Sequence, residues 1–306
     1  MRIFILLLTC FLSLSLAACS EKPTETSQAM ESPYFQASDH ILEVDGLDVR
    51  YRDEGPREAQ PLLMVHGFTS SLETWDALAE NLNQDYRVIR LDLSGHGLTG
   101  PDPQSRYSNA DTVAFLNDFI NTLDLKNPVL IGNSLGGLVS WRLAEEYPEK
   151  VSKLVLISPG GFSINGVTDT PVSVPMILKL YLTKAPMAGV KQATTALYAD
   201  PAKLTEKRLT TLHDMMLQPG NGEAFVARLE QFTLPDPSSD LAKVSAPTLI
   251  IWGQKDKMIS VDQANQFLEA MPNATLKFYD NAGHVPQEET PDQLATDIRG
   301  FLESSE

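Results

Sequence analysis

The chain has 306 residues, 42% hydrophobic and 21% charged, enough for one large domain or for a domain with an inserted lobe around a sizeable core. Its formal net charge of −16 argues against nucleic acid as a partner and against adhesion to an anionic membrane through basic patches. Acidity on this scale supports solubility and leaves the substrate open.

At the N-terminus Arg2 precedes an apolar run, IFILLLTCFLSLSLAA, that ends in the small residues Ala17 and Ala18. A short run charged on one side has the form of a secretory signal peptide, and it falls short of the ~20 apolar residues that a spanning helix needs. The end of the run, Leu16-Ala17-Ala18-Cys19, resembles a bacterial lipoprotein box. That resemblance implies a signal peptide over 1–18 and lipid on Cys19 as the first residue of the mature chain. Several acyl chains on one cysteine hold a protein firmly at a membrane where a single chain is marginal. Ser20, rather than Asp, follows the cysteine, which by the sorting rule of such lipoproteins points to the outer membrane, facing the periplasm. The only cysteines of the sequence are Cys10 and Cys19, so removal of the first and lipidation of the second leave no thiol for a disulfide, a metal or catalysis. Residues 19–39 are polar and lack periodicity, and read as a flexible tether with a span on the order of 25 Å.

From about residue 40 the pattern changes. HILEVDGLDVRYRDEG reads as a hairpin turning at Asp45-Gly46. Next come PLLMVHG (strand), SLETWDALAENLN (helix), YRVIRLDL (strand), NADTVAFLNDFINTLDL (helix), PVLIGN (strand), LGGLVSWRLAEEYP (helix) and VSKLVLISP (strand). The strands are short, nearly continuous runs of Leu and β-branched residues, the pattern of strands buried on both faces. Alternation of strand and helix predicts an α/β architecture, a mainly parallel sheet with helices on both sides. The rhythm stops over 162–240, where Pro171, Pro175, Pro186, Pro201 and Pro219 cut a helical pattern into pieces without a clear strand. It resumes with APTLIIWGQKD (strand), SVDQANQFLEAM (helix), ATLKFYDNAG (strand) and PDQLATDIRGFLESS (helix). The expected layout is a core over 40–161 and 241–306 with a helical insert between.

Gly132-Asn133-Ser134-Leu135-Gly136 matches G-x-S-x-G, a nucleophile elbow, directly between a predicted strand and a predicted helix. The nucleophile of such a turn sits in strained backbone, so its neighbours two residues either side must be small. A serine hydroxyl needs a base, usually His oriented by a carboxylate, in the chain order Ser, acid, His. Of five histidines only His213 and His284 follow Ser134; His213 lies inside the insert, whereas His284 follows a predicted strand. Asp256, after the preceding strand, is the matching acid; Asp280 and Asp169 are its rivals. Backbone N–H groups of Leu135 and Phe68 are the expected oxyanion donors, the latter from the loop MVHGFTSS. His66 precedes the serine and reads as shaping that loop; His96 reads as a loop histidine without a role, with a place at the pocket mouth as the alternative.

HGF at 66–68, RLDLSGHGLTG at 90–100, GNSLGG at 132–137, WGQKD at 252–256 and GHVPQEETP at 283–291 together resemble an α/β-hydrolase fold enzyme, in family order across the chain from about 40 to the C-terminus. The resemblance implies that the insert forms a cap after the sixth strand; Met176, Met187, Met215 and Met216 would either form a pliable apolar lining or, as the reading preferred for most of them, glue the cap to the sheet. It also implies hydrolysis of a carboxylic ester through an acyl-enzyme, without metal or organic cofactor, on a small-molecule substrate. Ser134 stands where similar haloalkane dehalogenases and epoxide hydrolases carry Asp, which disfavours those activities. The GNSLGG elbow is also similar to that of hydrolases cleaving carbon–carbon bonds in ring-fission products, although Val285 stands where they tend to carry Trp. A non-catalytic, hydrolase-like envelope binding protein is the alternative of another class, and the oligomeric state is left open.

Overall fold

The computed structural model describes residues 29–304. Its sheet has eight strands: β1 (Asp39–Val44), β2 (Leu47–Glu54), β3 (Pro61–Val65), β4 (Arg87–Leu91), β5 (Val129–Asn133), β6 (Lys153–Ile157), β7 (Thr248–Gly253) and β8 (Ala274–Tyr279). Their order is β1-β2-β4-β3-β5-β6-β7-β8. β1 and β2 form an antiparallel hairpin, with Asp45 and Gly46 both at positive φ as a tight two-residue turn requires. β2 joins β4 antiparallel, and all other pairs are parallel.

Alternation along the strands decides what each face receives. Leu63, Val65, Leu130 and Leu156 point to one face, which is covered by α2 (Asn109–Thr122), α3 (Leu135–Glu146) and α9 (Asp262–Ala270). Leu62, Met64, Ile131 and Val155 point to the other, covered by α1 (Asp76–Leu82) and α11 (Pro291–Glu303). The central strands are buried on both faces as their sequences predict; β8 is the exception, a sheet edge whose Thr275, Lys277 and Phe278 alternate out of the core or stand exposed.

Between β6 and β7 the chain leaves the sheet and builds a cap from α4 (Met176–Lys184), α5 (Met187–Leu197), α6 (Glu206–Met216), α7 (Asn221–Gln231) and the short α8 (Ser238–Leu241). The cap has its own small core, including Leu182, Val190, Leu209, Leu212 and Phe225, joined to the body through Phe68. The last short helix before α11 is α10 (Pro286–Glu289).

Two expectations change here. Residues 29–39 of the expected 19–39 tether are packed on the fold: Ala29 packs on Leu98 and Met215, and the Tyr34 carbonyl accepts a hydrogen bond from the Arg50 guanidinium at 2.8 Å, while 19–28 lie outside the described residues. The cap methionines divide: Met215 and Met216 are buried in packing, as the gluing reading has it, whereas Met176 and Met187 fit neither reading and face outward at 69% and 41% exposure. The signal peptide and Cys19 lie outside the described residues.

Candidate active site

Parallel sheets of this kind leave a crevice beyond the carboxyl ends of their strands, and the site assembles there. β5 runs into Ser134, which has φ 55 and ψ −114 before α3 begins at Leu135. This conformation is costly for a residue with a side chain and persists only where the surroundings over-determine it. The neighbours show what does so. A Cβ on Gly136 would lie 2.0 Å from the Val65 carbonyl oxygen, and one on Gly132 would lie 2.4 Å from the Gly136 carbonyl oxygen. Strand, turn and helix therefore press together in a way that only glycine permits at both positions.

Asp256 follows β7, and His284 follows β8. His284 Nδ1 is 2.8 Å from Asp256 Oδ2, with both side chains almost wholly buried. The other carboxylate oxygen accepts the N–H groups of Met258 at 2.8 Å and Ile259 at 3.1 Å. Burial alone would push the Asp256 carboxyl up; the His284 bond and these two amides outweigh it and hold the pKa below its ordinary value. Asp256 is thus fixed as an anion, and an anion facing Nδ1 leaves Nε2 as the nitrogen free to accept a proton. Both rival acids, Asp169 and Asp280, are exposed, and Asp169 borders a separate surface cleft.

Ser134 and His284 line one cavity of about 450 Å³ under the cap. Among the described residues no hydrogen bond joins the Ser134 hydroxyl to the His284 ring; such contacts often close only when substrate is bound. Gly67 brings the loop after β3 against the elbow, since a Cβ there would lie 3.2 Å from Ser134 Cβ. This juxtaposition brings the loop carrying Phe68 to the cavity that Ser134 lines at the start of α3. His66 is wholly buried, accepts the Leu93 N–H at Nε2 and lies 2.8 Å from the Gly67 carbonyl through Nδ1. Burial lowers its pKa to about 4, so it is a neutral brace for the loop. His96 lies deeper than the pocket mouth, fully buried among His66, Phe68 and Phe225.

The structure adds a seam that the sequence reading misses. Glu288 takes Arg208 of the cap through Nε and Nη2, both at 2.9 Å, and also accepts from the Tyr198 and Thr74 hydroxyls. Burial would raise the Glu288 pKa, but the facing Arg208 charge and these donors hold it below its ordinary value. Glu289 accepts the amides of Ala199 at 2.9 Å and Asp200 at 3.1 Å through one oxygen, and that of Gly283 at 2.6 Å through the other. The His284 amide itself donates to the Leu197 carbonyl at 2.7 Å. Asn133, beside the elbow serine, donates to the carbonyls of Ile157 and His284, both at 3.0 Å, and accepts from Gln287 at 3.2 Å. His284, the elbow and the cap are therefore tied by polar contacts that satisfy otherwise buried groups.

The remaining wall is largely apolar, with Leu178, Leu182, Leu197, Leu212, Leu229 and Val285. Arg208 is the one lysine or arginine among the lining residues; it pairs with Glu288 through Nε and Nη2, and its buried Nη1 has no hydrogen-bond partner. No cluster of His, Cys, Asp and Glu suited to a metal ion occurs among the described residues.

Residues 60–291 match the family model of the alpha/beta hydrolase fold. Over 289 residues the chain is 27% identical to the 2-hydroxy-6-oxononadienedioate/2-hydroxy-6-oxononatrienedioate hydrolase 2 of Pseudomonas putida, covering 91% of this chain and 99% of that protein. Among solved structures, a membrane phospholipase A described as a bacterial virulence factor superposes with a TM-score of 0.75 at 24% identity, over 87% of this chain and 86% of that one. A serine hydrolase involved in carbazole degradation gives a TM-score of 0.76 at 23% identity, over 86% and 98%. At these identities the two structures speak to the fold.

Proposed function

The chain belongs to the alpha/beta hydrolase fold family, and from that premise we propose that it hydrolyses carboxylic esters with an apolar acyl or alcohol group, through Ser134, His284 and Asp256. The observation that carries this reading is the buried His284–Asp256 pair at 2.8 Å beside a serine held at φ 55 on the same cavity. In the first step His284 Nε2 takes the Ser134 proton as the hydroxyl oxygen attacks the ester carbonyl. The Leu135 and Phe68 amides receive the developing oxyanion, aided by the N-terminus of α3. Asp256 stabilises the imidazolium without taking its proton. His284 then protonates the leaving alcohol, and water activated by the same nitrogen releases the acid and restores the serine.

The cavity supports a neutral, apolar substrate. The Pseudomonas relative is named for a dioate, whose two carboxylates would call for cationic partners. Here the Arg208 guanidinium already faces the Glu288 carboxylate. Carbon–carbon bond hydrolysis is the second reading, favoured by the nearly full-length similarity to that relative. The discriminating experiment is a p-nitrophenyl ester series of increasing acyl length, run beside a vinylogous diketone. Ester turnover that rises with acyl length and vanishes in Ser134→Ala supports the proposal; turnover of the diketone alone would replace it with the second reading.

We also propose that Cys19 carries lipid and tethers the protein at the outer membrane, facing the periplasm. The support is the LAAC stretch at the end of the apolar run. Cys19→Ala should move the protein from the membrane fraction to the soluble fraction, and retention of the variant at the membrane would refute lipidation.

A further inference from the structure

Met176, Ile177, Leu180 and Met187 stand out because the cap gains nothing from them: they are 69%, 77%, 48% and 41% exposed. They belong to α4 and the first turn of α5, while Leu178, Tyr181 and Leu182 on the inner side of α4 line the cavity. One helix therefore separates the cavity from an outward apolar face. The charge pattern changes in the same place. In a chain with 40 Asp and Glu, residues 170–199 contain none, the longest such stretch, and carry Lys179, Lys184 and Lys191. Lys179 and Lys191 are answered by Glu230 and Glu206 from α7 and α6, which leaves this face close to neutral.

The start of the described chain packs against the cap as well. Ala29 packs on Met215 of α6 and shares a shallow groove with Gln218 and Pro219, and Tyr34 donates to Asp214 at 2.5 Å. Asn221 then bonds the Met215 carbonyl at 2.8 Å, and the neighbouring Gly222 lies so close to the end of α4 that a Cβ would be 2.6 Å from Thr183 Cα. The chain thus enters the fold beside the cap. The apolar run that ends at Ala18 precedes Ala29 by a segment that can reach no further than roughly 35–40 Å even when fully extended.

We propose that the outward face of α4 and the start of α5 docks on a lipid bilayer surface, with Met176, Ile177, Leu180 and Met187 set into the acyl boundary. An amphipathic helix of this kind binds a lipid surface through its apolar side chains, and among the described residues no helix is long and apolar enough to cross the membrane. Four side chains on two short helices are far fewer than the ~20–30 residues a side of a stable protein interface, which favours lipid over a second copy. The docked helix is also a wall of the cavity, so a substrate drawn from the lipid would meet the cap first.

The test uses the chain from Ser20 onward, which retains every element of the described fold, in flotation with phosphatidylcholine vesicles. Ile177→Glu/Leu180→Glu should lower the floated fraction about tenfold and leave turnover of a soluble short-chain ester unchanged. Phe278→Ser, on the sheet edge at β8, should float like the parent. Failure of the parent to float, or equal flotation of the double variant, overturns the proposal. A parent dimer that the double variant dissociates, without flotation, assigns the face to a second copy and also overturns it. Flotation needs no hydrolysis, so failure here is distinguishable from failure of the ester reading.

Discussion

The sheet body and the cap use apolar residues in opposite ways. In the body, the inward residues of β3 to β7 disappear into two continuous cores, and the site sits where those strands end. In the cap, a small core is shared among short helices and several large apolar side chains remain in solvent. The body can therefore hold Ser134 in strained backbone, because close-packed strands and helices give it nowhere to relax. The cap is held to the body largely by discrete polar ties, above all at Glu288 and Glu289. What this teaches is a division within the fold: the candidate catalytic residues stand on the sheet, and the cap covers them through polar ties made by residues distant in sequence.

The sharpest way to break that comparison is to alter the chemistry while sparing both regions. Asp256→Asn should lower kcat on a p-nitrophenyl ester by about 10⁴ with an unchanged circular dichroism spectrum. Near-normal turnover would move the orienting role elsewhere. Next comes the seam. Glu288→Gln leaves Arg208 without its anion and should destabilise the protein by about 3–5 kcal/mol in urea unfolding, with Tyr198 and Thr74 losing a charged acceptor. Its pH dependence has a defined sign. The folded pKa of Glu288 lies below its ordinary 4.5, so its contribution is fully present above that value and is lost as pH falls through the folded pKa. The stability gap between parent and Glu288→Gln should be constant from about pH 6 upward and shrink below about pH 4.5; a gap that widens in acid would show that the pair is not ionised as described.

A smaller effect is expected from Tyr198→Phe, which removes one donor to Glu288 and leaves the ring in place. About 1–2 kcal/mol should be lost, measured by thermal unfolding, and KM should shift more than kcat because Tyr198 also lines the cavity. The smallest is Leu268→Ser on α9, 36% exposed on the body, where a change within about 0.5 kcal/mol is expected. A large loss there would mean that the body depends on surface residues as the cap depends on its seam.

How much of this was legible in the sequence follows from the range of the forces involved. The elbow is a local steric problem, so Gly132, Ser134 and Gly136 announce it within five residues. The central strands are legible because both faces are buried, and Asp256 because it follows one of them; His284 is legible only from its place after β8, an edge strand with exposed positions. The seam is different. Gln287 meets Asn133 across 154 positions and Arg208 meets Glu288 across 80, and a Glu-Glu pair ahead of a helix reads like any solvated N-terminus. The signal that could have found it is the crowding of polar residues directly after His284, where the loop must be anchored. The outward Met176 and Met187 escaped both readings for a related reason. α4 is apolar at 176, 177, 178, 180, 181 and 182, so periodicity cannot separate its cavity side from its outer side, and only packing does.

The most direct measurement is covalent labelling by a fluorophosphonate, read by mass spectrometry of the peptide containing residue 134. A single adduct on Ser134 is expected, with labelling slowed by orders of magnitude in His284→Ala and absent in Ser134→Ala. Absence of labelling in the folded parent protein, or an adduct on another residue that survives Ser134→Ala, would contradict the assignment of Ser134 as the nucleophile.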